Sequence, residues 1–113
     1  MVRTGLVTPP RAVYQETAER DGQQRNYHIY NQYIIRVEKR DELRAWLGKK
    51  EIGTEIYYPL ALHQQECLKG IVHPGSLPHA EQAAAETLAL PIYPELRKDM
   101  QEYVVKSIAE FYG

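Results

Sequence analysis

Four histidines and one cysteine are the residues of this 113-residue chain best suited to bind a metal or attack an electrophile. His63 and Cys67 stand four apart, so on a helix they would share a face, and His73 and His79 follow. None of the tight paired-ligand spacings of structural zinc sites occurs, and two of these histidines lie beside prolines in a loop. The pattern therefore predicts no metal centre. Cys67 and His63, posed as nucleophile and base, lack an orienting acid and any oxyanion-hole motif. Cys67 then reads as a small buried apolar residue and the histidines as ordinary surface groups. The carboxylate pairs Glu81–Glu86 and Glu95–Asp99 fall on predicted helices, where solvated faces account for them. The seven glycines are scattered, and no glycine-rich phosphate loop can be built from them. No catalytic residue emerges.

The tyrosines carry more information. Nine of them stand against one phenylalanine and one tryptophan. A phenol packs like an apolar ring but keeps a hydroxyl that needs a partner. Tyr57 and Tyr58 end a short predicted strand just before Pro59, and strand alternation sends them to opposite faces. Whichever turns from the core is free to meet a ligand or another subunit; plain packing is the alternative.

The elements that must position these residues follow from periodicity. His28 to Val37 reads as a strand, with Ile29, Asn31, Tyr33, Ile35 and Val37 on the core face. Tyr30 and Ile34 on its other face are apolar surface left for something else to cover. Arg40 to Lys50 reads as a helix through Leu43, Trp46 and Leu47, broken at Ile52-Gly53. Thr54 to Tyr58 is a second short strand, and Leu62 to Lys69 a turn or two of helix. Pro78 to about Ala89 is a helix with proline at its start. Leu90 to Tyr93 is an extended edge segment between two prolines. Glu95 to Tyr112 forms the last helix, with an apolar stripe of Leu96, Met100, Tyr103, Val104, Ile108 and Phe111. This order predicts an α+β fold: a two-layer sandwich, about three strands covered on one face by helices. Residues 1–26, with Pro9, Pro10 and a polar tract, read as an irregular lead-in, from which Leu6 to Thr8 can still dock as an edge. Residues 27–113 form the domain.

Composition sets the outer limits. The chain is 43% apolar and 26% charged, which excludes a disordered tail. A net charge of -1 gives no footprint for nucleic acid or an anionic membrane. A single cysteine makes no internal disulfide, and neither a signal-peptide core nor an eighteen-residue apolar run is present. A soluble cytoplasmic domain is expected.

Three segments, HIYNQYIIRVEKRDEL, TEIYYPLALHQQECL and LPHAEQAAAETLALPIYPEL, taken together resemble a known family. It is the C-terminal small domain of DegT/StrS-type sugar aminotransferases, and the likeness runs from about Gly5 to Gly113. The combination is the specific part: Ile52-Gly53-Thr54-Glu55-Ile56-Tyr57-Tyr58-Pro59, the turn Leu62-His63-Gln64-Gln65, the helix start Pro78-His79-Ala80-Glu81, and Leu90 to Leu96. These fold-type-I enzymes use pyridoxal phosphate to install an amino group, typically from glutamate, on a nucleotide-linked keto-sugar. The resemblance implies that the cofactor lysine, the ring contacts and most of the phosphate site belong to a larger N-terminal domain. None of the six lysines here (39, 49, 50, 69, 98 and 106) matches the cofactor-lysine context. The cofactor stabilises the carbanion, but the protein must supply the lysine and a partner for the ring nitrogen. This chain is therefore expected to bind no pyridoxal phosphate and to be inactive alone. The resemblance implies substrate-side contacts from Tyr57 and Tyr58, with His63, following on the same loop, as a further candidate contact. It implies a sugar nucleotide, and the large domain or a second subunit, as partners. A non-catalytic binding or dimerisation module derived from that domain is the alternative.

Three positions depart from the family pattern. Tyr57 stands where a histidine is frequent, which leaves a phenol as the donor. Glu51 occupies the place of a helix-ending glycine, so a less sharp helix stop is expected. Arg97 replaces a capping threonine, at a cost of ~1 kcal/mol.

Overall fold

The computed structural model describes residues 5–12, 19–20, 23–24, 28–71 and 75–113; His73 lies outside them. The elements in chain order are β1 (Val7–Thr8), β2 (Glu19–Arg20), β3 (Gln23–Gln24), β4 (Tyr33–Val37) and α1 (Arg40–Lys49). Two 3-10 turns, Leu62–Gln64 and Glu66–Leu68, come next, then α2 (Pro78–Glu86), β5 (Thr87–Leu90) and α3 (Lys98–Tyr112). The main sheet has the order β1-β4-β5 and is antiparallel throughout; β2 and β3 pair separately. The fold is α+β, as the pattern predicts. Val7 pairs with Val37, so the lead-in does supply an edge strand.

Strand alternation builds the core. Ile35 and Val37 of β4 and Leu88 of β5 turn to one side, where Leu43 and Leu47 of α1 and Val104 and Ile108 of α3 meet them. The two helices are also tied by Trp46, whose indole N–H donates to the Ser107 carbonyl at 2.9 Å. Ser107 is itself buried, a small residue suited to the close packing of helices. Tyr103, expected on the apolar stripe, is instead half exposed and bonds the Lys50 carbonyl.

Several boundaries differ from the sequence reading. β4 begins at Tyr33 instead of His28, because the His28 ring nitrogen accepts the Tyr30 N–H at 2.9 Å and turns the chain locally. Tyr30 takes a positive φ of 48°, and Ile29, expected on the core face, is 89% exposed. Thr54 to Tyr58 is not a strand; only Glu55 bridges to Ala89. α2 stops at Glu86, and Thr87 to Ala89, expected as helix end, join Leu90, expected as extended, in β5, in register with β4 with Leu88 opposite Ile35. The largely buried Arg40 guanidinium holds this switch, donating to the Ala84 carbonyl at 2.9 Å and the Thr87 carbonyl at 3.1 Å. α3 starts three residues late, at Lys98, without a side-chain cap. Arg97 there makes a two-pronged pair with Asp99, both contacts at 3.0 Å.

The end of α1 corrects an expectation. Glu51 adopts a left-handed φ of 61°, its N–H meets the Gly48 carbonyl at 3.0 Å, and the Ile52 N–H meets the Leu47 carbonyl at 2.9 Å. This is the paired bonding of a Schellman motif, sealed by the buried Ile52 and Leu47. The helix stops sharply, with a glutamate bearing the strain that glycine would avoid.

Candidate functional site

The chain after α1 runs along the free edge of β5. Paired backbone bonds fix Glu55 to Ala89, the Glu55 N–H at 3.1 Å and the Ala89 N–H at 2.8 Å. Because Glu55 is held at a sheet edge and β4 starts late, the two segments leave an open cleft of about 340 Å³ between them. Asn31 and Gln32 line it from the turn before β4, Thr54, Glu55 and Tyr57 from the bridged segment, and Pro91 and Ile92 from the end of β5. Amides, a hydroxyl, a carboxylate and a phenol supply both donors and acceptors. Such a set suits a polyhydroxylated ligand, with Pro91 and Ile92 adding apolar surface to the lining.

The three residues singled out in the sequence are close in the chain but differ in setting. Tyr57, 40% exposed, lines the cleft, whereas Tyr58, 67% exposed, lies outside the lining. Their rings meet edge to face at 6.0 Å. Strand alternation does not apply, since the segment is not a strand, so the two rings do not serve opposite sheet faces. His63, also outside the lining, has only 10% of its side chain exposed and places Nε2 3.0 Å from Glu81 Oε1. Glu81 also accepts the Leu77 N–H at 3.4 Å and the Ser76 hydroxyl at 3.5 Å. The His63 hydrogen bond, then the Leu77 N–H, hold the Glu81 carboxyl below its ordinary range.

Sequence reasoning missed Asn31, Gln32, Thr54 and Glu55 as cleft residues, and missed Glu81 as the partner of His63. The one signal for the latter was the presence of both residues in quoted motifs. Cys67, expected to be buried, is exposed, its Sγ 3.8 Å from Gln65 Oε1 on a 3-10 turn. Among the described residues, no three His, Cys, Asp or Glu side chains gather as a metal-binding group. Nor is any helix among them long and apolar enough to cross a membrane.

The cleft does not fit pyridoxal phosphate. Its described lining holds no lysine to form an imine and no cation to meet a phosphate. Lys50 instead pairs with Glu110 at 2.7 Å, Lys69 with Glu66 at 2.7 Å, and Lys98 lies 3.9 Å from Glu102.

Comparison with known proteins places these features. A "Pleiotropic regulatory protein" of Geobacillus stearothermophilus is 52% identical over 87 residues, covering 76% of this chain and 23% of its own length. The dTDP-3-amino-3,4,6-trideoxy-alpha-D-glucose transaminase of Streptomyces venezuelae is 36% identical over 84 residues, 74% of this chain and 22% of its own. The chain thus spans under a quarter of the length of these relatives. Among solved structures, a DegT DnrJ EryC1 StrS aminotransferase from Brucella abortus superposes with a TM-score of 0.72 at 32% identity, over 96% of this chain and 26% of that one. S. venezuelae DesV, solved with a ketimine intermediate, gives 0.77 at 29% identity, over 96% of this chain and 28% of that one. The family profile itself matches residues 2–109, and the chain belongs to the DegT/DnrJ/EryC1/StrS aminotransferase family.

Proposed function

We propose that this chain is the small, substrate-side part of a sugar-nucleotide aminotransferase, working in the cytoplasm. The enzyme moves an amino group from an amino acid to a keto-sugar nucleotide. Tyr57 and Tyr58, with His63 behind them, form the wall that meets the sugar nucleotide. The reactive lysine and its pyridoxal phosphate belong to a large domain or partner subunit, and this chain does not transaminate unaided. One observation carries the reading: Tyr57 opens onto a cleft rich in hydrogen-bonding groups, with no lysine among its described lining residues. Transaminase relatives named for dTDP- and UDP-linked sugars support the substrate class.

Pyridoxal phosphate followed by borohydride reduction and mass spectrometry tests the division of labour. Scattered, low labelling of surface lysines is expected; a stoichiometric adduct at one lysine would refute it. Calorimetric titration with a dTDP- or UDP-hexose tests the substrate side, with Tyr57→Phe weakening whatever heat the wild type gives.

A second reading, a non-catalytic module that binds a partner chain or dimerises, is favoured by the exposed apolar residues Leu60, Leu62 and Ile71. Concentration-dependent mass in light scattering, with no sugar-nucleotide heat, supports that module instead.

A further inference from the structure

The Tyr57–Tyr58 pair hangs between two tethers. Upstream, Glu55 is bound to Ala89 by paired backbone bonds. Downstream, Pro59 and Leu60 are exposed, and the chain is next fixed at the buried Ala61 and at His63. The inward turn of His63 contrasts with its neighbour on the same 3-10 turn, Leu62, which is 70% exposed. Among the described residues, no side-chain hydrogen bond other than His63–Glu81 ties the segment 59–71 to another element. The Cys67–Gln65 and Lys69–Glu66 contacts stay within it.

Glu81 is well placed to hold such a tether. It lies one turn inside α2, and its carboxylate reaches back to the Leu77 N–H, which that uncapped helix start leaves free. A carboxylate with several donors has few alternative rotamers open to it. Both tethers also end on one continuous piece of chain, since Glu81 belongs to α2 and Ala89 to the strand that follows directly.

We infer that His63 is a positioning residue: paired with Glu81, it sets where Tyr57 and Tyr58 stand and does not itself touch the sugar nucleotide. The positional part rests on the structure, and its bearing on substrate rests on the function proposed above. The L-H-x-Q turn and the P-x-A-E helix start are then two halves of one clamp.

The experiment uses the 113-residue chain and its His63→Ala, Glu81→Ala, double and Glu81→Gln variants. Nuclear magnetic resonance follows amide exchange at Gln64, Gln65, Leu68 and Lys69, whose N–H groups close the 3-10 turns. The ring signals of Tyr57 and Tyr58 report position, and the amides of Leu47 and Val104 report the core. Each alanine variant should speed loop exchange about tenfold, the factor expected for loss of one charge-assisted hydrogen bond. It should shift both tyrosine rings and leave the core amides unchanged. The double variant should exchange no faster than either single, and Glu81→Gln, which keeps an acceptor, should recover most of the protection. Unchanged loop exchange, additive effects, unmoved tyrosine rings, or a core loosened by the same factor would each overturn the clamp. His63→Ala carries the test alone if Glu81→Ala, which also frees the Leu77 N–H, does not fold. Adding a UDP- or dTDP-hexose to the wild-type chain separates the two readings. No shift at Tyr57 counts against the proposed function and leaves the clamp result standing. A direct ligand contact to the His63 ring overturns the positioning role.

Discussion

Helices α1 and α3 face each other across Leu43, Leu47, Val104 and Ile108, all buried, while the segment from Ile56 to Ile71 buries only Ala61. Both regions are rich in apolar side chains. In the helices these recur at 3.6 spacing and so point the same way. In the loop, Tyr57, Tyr58, Leu60 and Leu62 follow no period and leave large faces in water. The helical side is what keeps the chain folded; the loop side leaves apolar surface in water and adds little to stability.

Core truncation should break the molecule on one side only. Leu88→Ala, at a fully buried strand position, should lower unfolding free energy by about 2–5 kcal/mol in a urea titration. Leu62→Ala should cost under about 0.5 kcal/mol. Equal losses would erase the contrast. Next in size, Arg40→Ala should cost about 1.5–3 kcal/mol, because two part-buried carbonyls at the α2–β5 junction lose a charged donor. A silent Arg40→Ala would mean that pairing with β4 alone stops α2. Glu51→Gly sharpens the comparison in the other direction. Relief of the left-handed glutamate, less the entropy that glycine adds to the unfolded chain, should raise stability by about 0.5–1 kcal/mol.

The smallest effect concerns pH. The Glu81 carboxyl is depressed by the His63 hydrogen bond, so its contribution is present above the ordinary carboxylate range and fades as pH falls through the lowered value. Urea midpoints for His63→Ala should therefore decline less steeply over that acidic window than those of the wild type. Glu110, depressed by its bond to Lys50, should contribute an acid slope that persists in both proteins.

Legibility in the sequence divides along the same line. α1, α3 and the buried end of β4 were readable because Leu43, Leu47, Ile35 and Val37 obey local periods. β5 was readable only at Leu90, because the Thr87-Leu88-Ala89 before it follows an alanine run that suits a helix equally well. Its strand state comes from Leu88 meeting Ile35 and from Arg40, forty-four residues before Ala84. Tyr57 drew notice from the tyrosine-rich composition and its place before Pro59, and again from the resemblance; Asn31 and Gln32 were hidden because a histidine–backbone bond makes β4 start later than its pattern. His63 and Glu81 stand eighteen residues apart, a separation that no local rule connects.

No loop separates α2 from β5, and Arg40 grips the seam between them. Helix and strand thus act as a single beam with the tyrosine pair slung beneath it. The junction between them offers no hinge, so the two elements can shift only together.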